Sequence, residues 1–340
     1  MRTRRIAIAV ETWFRANQRP LPWRSTYDPY QVWISEVMLQ QTRMEVVLRY
    51  YTRFLGRFPT IASLAAAPLD EVLAAWSGLG YYRRARMLHA AAGRVMERFE
   101  GELPRQVPEL MTIPGIGRYT AGAIASIAFG RRAPIVDGNI ARILARLEGF
   151  GDPPGPALMR RSWPAEETLV AASGSPRDFN QGLMELGALV CRPAAPRCDE
   201  CPLRRSCVAH RTGRVADLPA RTARKESRSL VIPLYLIEDR RGRILMRRES
   251  GALMTSMFHL PHGATDLFDT PPVEIEPGRH LGSFRHTITD RRIEFHVYRA
   301  GATARAIADR RGEYAWIDPS GLEALPHPSY VDKALKFIGA

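Results

Sequence analysis

Helical signals follow one another along the first 210 residues, and this run constrains the fold of the chain more than any other feature. Strand-like alternation of apolar and polar residues is nearly absent there. Helices are predicted from Thr3 to Asn17 and near residues 30–42, 44–57, 69–76, 82–99, 106–111, 118–129, 138–150, 165–172 and 178–191. The sequence therefore predicts a mainly α region over residues 1–210.

A polar, basic stretch at residues 211–229 has the composition of a linker and ends the helical region. Short runs of β type follow it, and a last helix is predicted near 329–339. The runs lie at 230–239, 242–250, 291–300 and 313–319. We expect residues 230–340 to form a small α+β domain that is separate from the helical region.

The charge balance of the 340 residues favours a polyanionic partner. Lys and Arg number 49 and Asp and Glu 35, which gives a net charge of +14 and a pI near 10.2. Nucleic acid and an anionic membrane surface both fit this charge. No apolar run approaches the roughly 20 residues that a membrane span needs, and none resembles a signal core. We therefore expect an intracellular protein without a membrane segment.

All four cysteines of the chain stand within 17 positions, as Cys191, Cys198, Cys201 and Cys207. Four thiolates at this density indicate a single metal centre rather than a scattered disulfide framework. A 4Fe-4S cluster and a structural zinc ion both accept four sulfur ligands, so the spacing leaves the choice open.

Two glycines, Gly115 and Gly117, form a predicted tight turn before the Ala-rich helix at 118–129. Glycines allow backbone N–H groups to face outward at a helix N-terminus, where the helix dipole favours an anion such as a DNA phosphate. An ordinary connection between two helices explains the same residues. Asp137, at the start of the helix predicted over 138–150, is likewise open to two interpretations: an N-cap, or a carboxylate that faces developing positive charge.

Glu36 is an acid inside an otherwise apolar helical stretch. At 100° per residue, its neighbours within about 60° on the helix are Val32, Trp33, Leu39 and Gln40. A carboxyl group in such a setting prefers its neutral form, and a neutral acid can donate a proton. A buried structural glutamate that accepts hydrogen bonds is the alternative.

Taken together, these stretches resemble the MutY family of adenine DNA glycosylases within the helix-hairpin-helix glycosylase superfamily. The resemblance runs from about Leu21 to Cys207 and is weaker in the tail. It is carried by the cysteine spacing and by "LPWR", "WISEVMLQQT", "GLGYYRRAR", "PGIGRYTAGAI", "VDGNIARIL" and "FNQGLMELGALVC".

The resemblance implies a base excision repair enzyme that flips adenine out of duplex DNA, where it is mispaired with 8-oxoguanine or guanine, and hydrolyses its glycosidic bond. Glu36 would be the general acid, and Asp137 would stabilise the oxocarbenium ion or attack the anomeric carbon. The cysteines would hold a 4Fe-4S cluster. The protein would act as a monomer in a bacterial cytoplasm, associated with the nucleoid through DNA.

Further residues take roles by resemblance. Trp23, Arg24, Leu39 and Gln181 match the adenine-pocket region, Gln41 the intercalating amide and Tyr81 the wedge beside the opposing base. Tyr119 and Asn139 are assigned to the catalytic residues, and Gln40, Gly115 and Gly117 to substrate binding.

Tyr119 separates this chain from relatives of endonuclease III type, which carry a lysine at that place in the turn. A lysine amine forms a Schiff base that leads to strand cleavage. We therefore expect a monofunctional glycosylase. The alternatives are an endonuclease III-like glycosylase and lyase that acts on oxidised pyrimidines, and a DNA damage binder without catalysis.

The tail resembles the Nudix-like domain of the family, which recognises 8-oxoguanine, but it lacks a Nudix catalytic box. His286, Thr287 and Thr289 are assigned to lesion contact, although His286 could equally be an ordinary strand histidine. The loop here reads Ile288, Thr289 and Asp290, where the family has a Phe-Ser-His sequence. The acid in this loop would repel phosphates, so the preference for 8-oxoguanine over guanine is not fixed by the sequence.

Overall fold

The computed structural model describes residues 1–221, 228–250, 254–263, 265, 267, 275, 277–288, 290–301 and 313–338. The chain divides into two compact units. The first unit contains residues 1–65 and 90–224, and the second contains residues 66–89 and 225–340. Part of the predicted linker, residues 222–227, lies outside the described residues.

Helices make up the regular structure of the first 221 residues. They are α1 (Arg2–Asn17), α2 (Pro29–Leu39), α3 (Met44–Arg57), α4 (Ile61–Ala66), α5 (Leu69–Ala75), α6 (Arg83–Phe99), α7 (Val107–Leu110), α8 (Arg118–Ala123), α9 (Gly138–Glu148), α10 (Pro156–Ala171), α11 (Pro176–Glu185) and α12 (Val208–Arg211). A π-helical segment extends α8 over Ile124–Ala128, and another extends α11 over Leu186–Val190. The mainly α character predicted from the sequence is confirmed.

The core of the first unit forms where α1 crosses α11. Ile6 and Val10 of α1 pack there with Phe179 and Leu183 of α11, and all four side chains are buried. Gly182 permits this close approach, because a Cβ atom at that position would lie 2.6 Å from Cγ1 of Val10.

Two predicted helix boundaries are wrong in the first unit, and in the second unit the helix predicted near 329–339 ends at Leu335. The helix predicted over 30–42 ends at Leu39, because Gln41 adopts a left-handed backbone with φ of 56°. The helix predicted over 165–172 begins at Pro156 and includes Pro164. The first difference matters for function, since it places Gln40 and Gln41 in a turn beside Glu36.

The second unit contains two three-stranded sheets. Its strands are β1 (Arg228–Leu236), β2 (Ile244–Arg248), β3 (Phe258–His259), β4 (Pro277–Ile288), β5 (Arg291–Ala300) and β6 (Tyr314–Ile317), and α13 covers Ser329–Leu335. One sheet has the order β1-β5-β4, with β1 parallel and β4 antiparallel to β5, and the other is the antiparallel sheet β3-β2-β6. The predicted α+β class is confirmed, but neither β3 nor β4 was predicted from the sequence.

Residues 66–89 belong to the second unit, although the sequence places them inside the helical region. Asp70 pairs with Arg248 at 2.8 Å. The Ser77 hydroxyl donates to the carbonyl of His327 at 2.7 Å, and Arg86 donates to the carbonyl of Thr255 at 2.6 Å. Helical periodicity predicts the local structure of this stretch but not the unit with which it packs.

No helix among the described residues is both long enough and apolar enough to cross a bilayer.

Candidate active site

Glu36 on α2 lies between two cavities of the first unit and lines both. The larger cavity, of about 780 Å³, is lined by Glu36, Leu39, Gln40, Gln41, Thr42, Arg43, Gly115, Gly117, Tyr119, Thr120, Asp137 and Asn139. The smaller one, of about 110 Å³, is lined among others by Trp23, Arg24, Glu36, Leu39, Gln181 and Glu185. The structure thus places the predicted catalytic and adenine-pocket residues of the first unit around two adjoining cavities.

The surroundings of Glu36 favour its neutral form. The side chain is only 6% exposed, and burial raises its pKa from the usual 4.5 to about 7. A hydrogen bond from Tyr119 opposes this shift, the negative charge of Asp137 adds to it, and the positive charge of Arg24 reduces it. At neutral pH a large fraction of Glu36 therefore carries a proton that faces a cavity.

Tyr119 lies in the first turn of α8, just after the glycine turn. Its hydroxyl group donates a hydrogen bond to Glu36. Burial, together with the charges of Glu36 and Asp137, raises the pKa of Tyr119 well above its usual value, so the hydroxyl group stays protonated. Next to it, Gln40 donates to the hydroxyl group of Thr120 at 3.4 Å. These contacts tie the end of α2 to the start of α8.

Asp137 acts as the N-cap of α9 and also lines the larger cavity. Its Oδ1 accepts the backbone N–H of Ile140 at 2.7 Å, and its Oδ2 accepts from Nδ2 of Asn139 at 3.2 Å. Both interpretations of this residue are therefore compatible with its position. Glu36 and Asp137 face the same cavity, so a neutral acid and a capped carboxylate are presented to one ligand space.

Paired charged side chains line one side of the smaller cavity. Arg24 donates to Gln181 at 2.9 Å and to Glu185 at 2.6 Å, and Arg19 also pairs with Glu185 at 2.7 Å. The Trp23 ring packs edge-on against Tyr51 at 5.1 Å between ring centroids. Glu185, a buried acid one helical turn after Gln181, was not predicted from the sequence.

The four cysteines line one space of about 30 Å³ near the end of α11 and α12. Arg146 of α9 reaches this loop and donates to Sγ of Cys191 at 3.3 Å and to the carbonyl of Arg192 at 2.8 Å. Four thiols around one space, with a guanidinium that offsets negative charge on a sulfur, fit a centre ligated by thiolates.

Arg142 connects the cysteine loop with the cavity. Its guanidinium donates to the side-chain oxygen of Asn139 at 3.0 Å and to the carbonyls of Cys191 and Gly187, each at 2.8 Å. Asn139 in turn donates to Asp137. Neither Arg142 nor Arg146 was predicted from the sequence. Their i,i+4 spacing on a largely apolar helix is a signal that could have indicated a shared buried target.

The glycine turn contributes backbone to the larger cavity. Gly115 has φ of 79°, in the left-handed region that favours glycine, and Gly117 directly precedes α8. A phosphate-binding role for this turn stays a prediction.

The remaining predicted residues belong to the second unit. Tyr81 is 43% exposed and has φ of 50°, and the guanidinium of Arg84 lies 5.5 Å from its ring centroid. His286 lies on β4, where Lys333 donates to its Nδ1 at 3.3 Å, and burial lowers its pKa to about 4, with a smaller contribution from Lys333. Thr287 is exposed on the same strand, and Thr289 lies outside the described residues.

Comparison with known proteins gives one family match and a set of similar chains. Residues 34–164 match the HhH-GPD superfamily of base excision DNA repair proteins. The chain is 45% identical to the adenine DNA glycosylase of Rattus norvegicus over 221 residues, which cover 61% of this chain and 43% of the relative. It is 34% identical to that of Buchnera aphidicola subsp. Baizongia pistaciae over 249 residues, which cover 72% of this chain and 69% of the relative. The chain spans about two fifths of the length of the mammalian relatives it matches.

Two solved structures resemble the chain over 62% of its length. One is a thermostable thymine-DNA glycosylase, with a TM-score of 0.56, 29% identity and 97% of that structure covered. The other is endonuclease III captured as a covalent intermediate with DNA, with a TM-score of 0.50, 26% identity and 98% covered.

Proposed function

The chain belongs to the adenine DNA glycosylase family of helix-hairpin-helix base excision repair proteins, and on that premise we propose that it hydrolyses the bond between adenine and deoxyribose in mispaired DNA. The observation that carries this proposal is the pairing of a buried Glu36, whose pKa is raised to about 7, with the capped carboxylate of Asp137 at one cavity. The relatives named as adenine DNA glycosylases support the choice of base.

Glu36 is the general acid in this proposal. Adenine is a poor leaving group, and the sugar becomes cationic as the base departs. Protonation of the purine by Glu36 allows it to leave as a neutral base. The pKa of about 7 keeps this acid protonated in part of the population near neutral pH while leaving it able to give up its proton.

Asp137 supports the sugar in the same step. A carboxylate beside the anomeric carbon stabilises the developing oxocarbenium ion, or forms a bond to it that water later hydrolyses. The hydrogen bonds from Ile140 and Asn139 fix the orientation of this carboxylate. The capping bond thus serves the chemistry as well as the helix.

Adenine has to leave the base stack before either group can reach it. We assign the flipped base to the two cavities around Glu36. Residues Trp23, Arg24, Leu39 and Gln181 line the smaller of these cavities. Gln41 is exposed and held in a left-handed turn beside the larger cavity, which suits a side chain that fills the gap in the duplex. Gly115, Gly117 and Gln40 line the same cavity. We assign them to contacts with the DNA backbone beside the flipped nucleotide.

The cysteine centre is assigned a 4Fe-4S cluster. Cys191, Cys198, Cys201 and Cys207 would hold it, and four thiolates are the usual ligand set for such a cluster. These four ligands would let a bound cluster cross-link the loop that follows α11. Arg142 and Arg146 then fasten this loop to α9, which carries Asp137 at its start.

Strand cleavage through a Schiff base is not expected. The chain has three lysines, Lys225, Lys333 and Lys336, and therefore none in residues 1–224, where Glu36 and Asp137 lie. Tyr119 occupies the position beside Glu36. We therefore propose a monofunctional glycosylase rather than an enzyme with lyase activity.

The second unit is assigned to recognition of the base opposite adenine, which is 8-oxoguanine or guanine. His286 is half-buried on β4, and Lys333 occupies its Nδ1, so Nε2 carries the hydrogen and can donate. Tyr81 offers an exposed ring in the same unit. A Nudix-like domain without Nudix catalysis and a monomeric state complete the proposal.

Single-turnover assays on 30-mer duplexes test this function. Duplexes with adenine opposite 8-oxoguanine or opposite guanine should release free adenine, which is detected by mass spectrometry. A duplex with adenine opposite thymine should release none. The strand should break only after treatment with base. Release of a pyrimidine instead, strand scission by the protein alone, or binding without base release would each refute the proposal.

A further inference from the structure

Glu249, His259 and His262 form a buried cluster in the second unit. All three residues are at most 2% exposed, and one ligand atom from each lies within 4.8 Å of the others. The imidazole rings stack at 5.3 Å between centroids. The proposed excision chemistry uses none of these residues.

The hydrogen bonds of the two rings fix their tautomers. Nδ1 of His259 lies 3.0 Å from the carbonyl of Leu260, and Nδ1 of His262 lies 2.7 Å from the carbonyl of Gly263. A carbonyl oxygen only accepts, so Nδ1 carries the hydrogen in both rings. In the neutral rings, each Nε2 therefore presents a lone pair.

The lone pair on Nε2 of His259 points to a carboxylate. Nε2 of His259 lies 3.1 Å from Oε2 of Glu249, and both atoms are acceptors when the ring is neutral and the carboxyl group ionised. A cation or a proton is needed between them. Imidazoles whose Nδ1 is fixed by a backbone carbonyl are the usual arrangement of metal-ligating histidines.

The cluster lies where the two sheets of the second unit meet. Glu249 directly follows β2, His259 is on β3, and His262 forms a bridge with Leu234 of β1. The backbone of Tyr235 donates to the carbonyl of Pro261 at 2.8 Å. One ion held by the three side chains would join both sheets.

We propose that Glu249, His259 and His262 bind one Zn²⁺ ion, or a similar divalent transition-metal ion, that fastens the two sheets of the second unit together. Two imidazole nitrogens and one carboxylate oxygen are a common ligand set for zinc, whereas Mg²⁺ and Ca²⁺ prefer oxygen alone. Arg247 adds positive charge near His262, and its pairing with Glu313 at 3.5 Å offsets part of that charge. The site is separate from the four cysteines, which belong to the first unit.

Zinc X-ray absorption on the full chain, with iron in the cysteine loop, tests the proposal. We expect about one zinc per chain with a first shell of nitrogen and oxygen at about 2.0–2.1 Å. A shell of sulfur at about 2.3 Å would place the zinc at the cysteines and overturn the proposal. Absence of zinc after equilibration with a zinc buffer would also overturn it, and would mean that a proton links His259 to Glu249.

Substitutions locate the site. His262→Gln should weaken zinc affinity by more than about a hundredfold, because it removes a direct ligand. His280→Gln, which alters an exposed histidine on β4, should leave zinc affinity unchanged. Equal affinity in both variants would contradict the proposal. If His262→Gln fails to fold, the absorption spectrum of the unaltered protein still decides the outcome.

Discussion

The hydroxyl group of Tyr119 donates a hydrogen bond to the buried carboxyl group of Glu36, and this bond lowers a pKa that burial has raised. The balance leaves Glu36 with a pKa of about 7. Stronger desolvation alone would hold the proton more tightly, and full exposure would lose it. The pair of residues thus sets how readily a proton reaches the cavity.

Glu36→Gln should abolish proton donation without disturbing the fold. Glutamine has nearly the same shape but no acidic hydrogen, so we expect single-turnover excision of adenine to fall by at least about a hundredfold while DNA affinity is retained. The matched control is Glu45→Gln, an exposed acid in the first turn of α3, which should excise at the normal rate. A normal rate in Glu36→Gln would remove this residue from the mechanism.

Asp137→Asn should separate the two functions of Asp137. Asparagine is a good N-cap, so α9 should keep its start, but the negative charge that supports the sugar cation is lost. We expect excision to slow by at least about a hundredfold with an unchanged circular dichroism spectrum. Asp152→Asn, which alters a surface ion pair with Arg161, serves as the control. If both variants excise equally well, Asp137 has only the capping role.

Tyr119→Phe should move the pH dependence of excision. The Tyr119 hydroxyl lowers the pKa of Glu36, so its removal raises that pKa and keeps Glu36 protonated to higher pH. The fall in single-turnover rate should therefore occur at higher pH than in the unaltered protein. A shift to lower pH would show that the hydrogen bond has the opposite effect.

Glu166→Gln should stabilise the protein at alkaline pH. Burial raises the pKa of Glu166 from 4.5 to about 9, and the negative charge of Glu167 adds to this shift. The folded state therefore binds one more proton than the unfolded state between about pH 4.5 and 9, and stability falls as pH rises through that window. At about pH 8.5 the variant should melt at a higher temperature than the unaltered protein, and at about pH 5 the two should melt together. Glu102→Gln, which alters an exposed acid of the first unit, should change neither melting temperature.

The acid in the helix and the cysteine centre could be predicted because both depend on local spacing. Helical geometry alone placed Glu36 among apolar and amide neighbours, and four cysteines in 17 positions can reach one space. The left-handed turn at Gln41 could not be predicted in this way. Backbone conformation of a non-glycine residue at positive φ depends on the packing of the surrounding chain.

Contacts between distant residues were also beyond the sequence. Arg142 reaches Cys191 across 49 positions, and His262 pairs with Leu234 across 28. Periodicity carries no information on such pairings, nor on the packing of residues 66–89 with the second unit. The strand β4 was missed because its first four residues are all exposed and show no alternation.

The pH dependence of single-turnover adenine excision tests the central claim most directly. If Glu36 donates its proton, the rate should be constant below about pH 6 and should fall about tenfold per pH unit above its pKa of about 7. The fall should be absent from the residual activity of Glu36→Gln. A rate that stays constant or rises through pH 7, with DNA binding intact, would contradict the account.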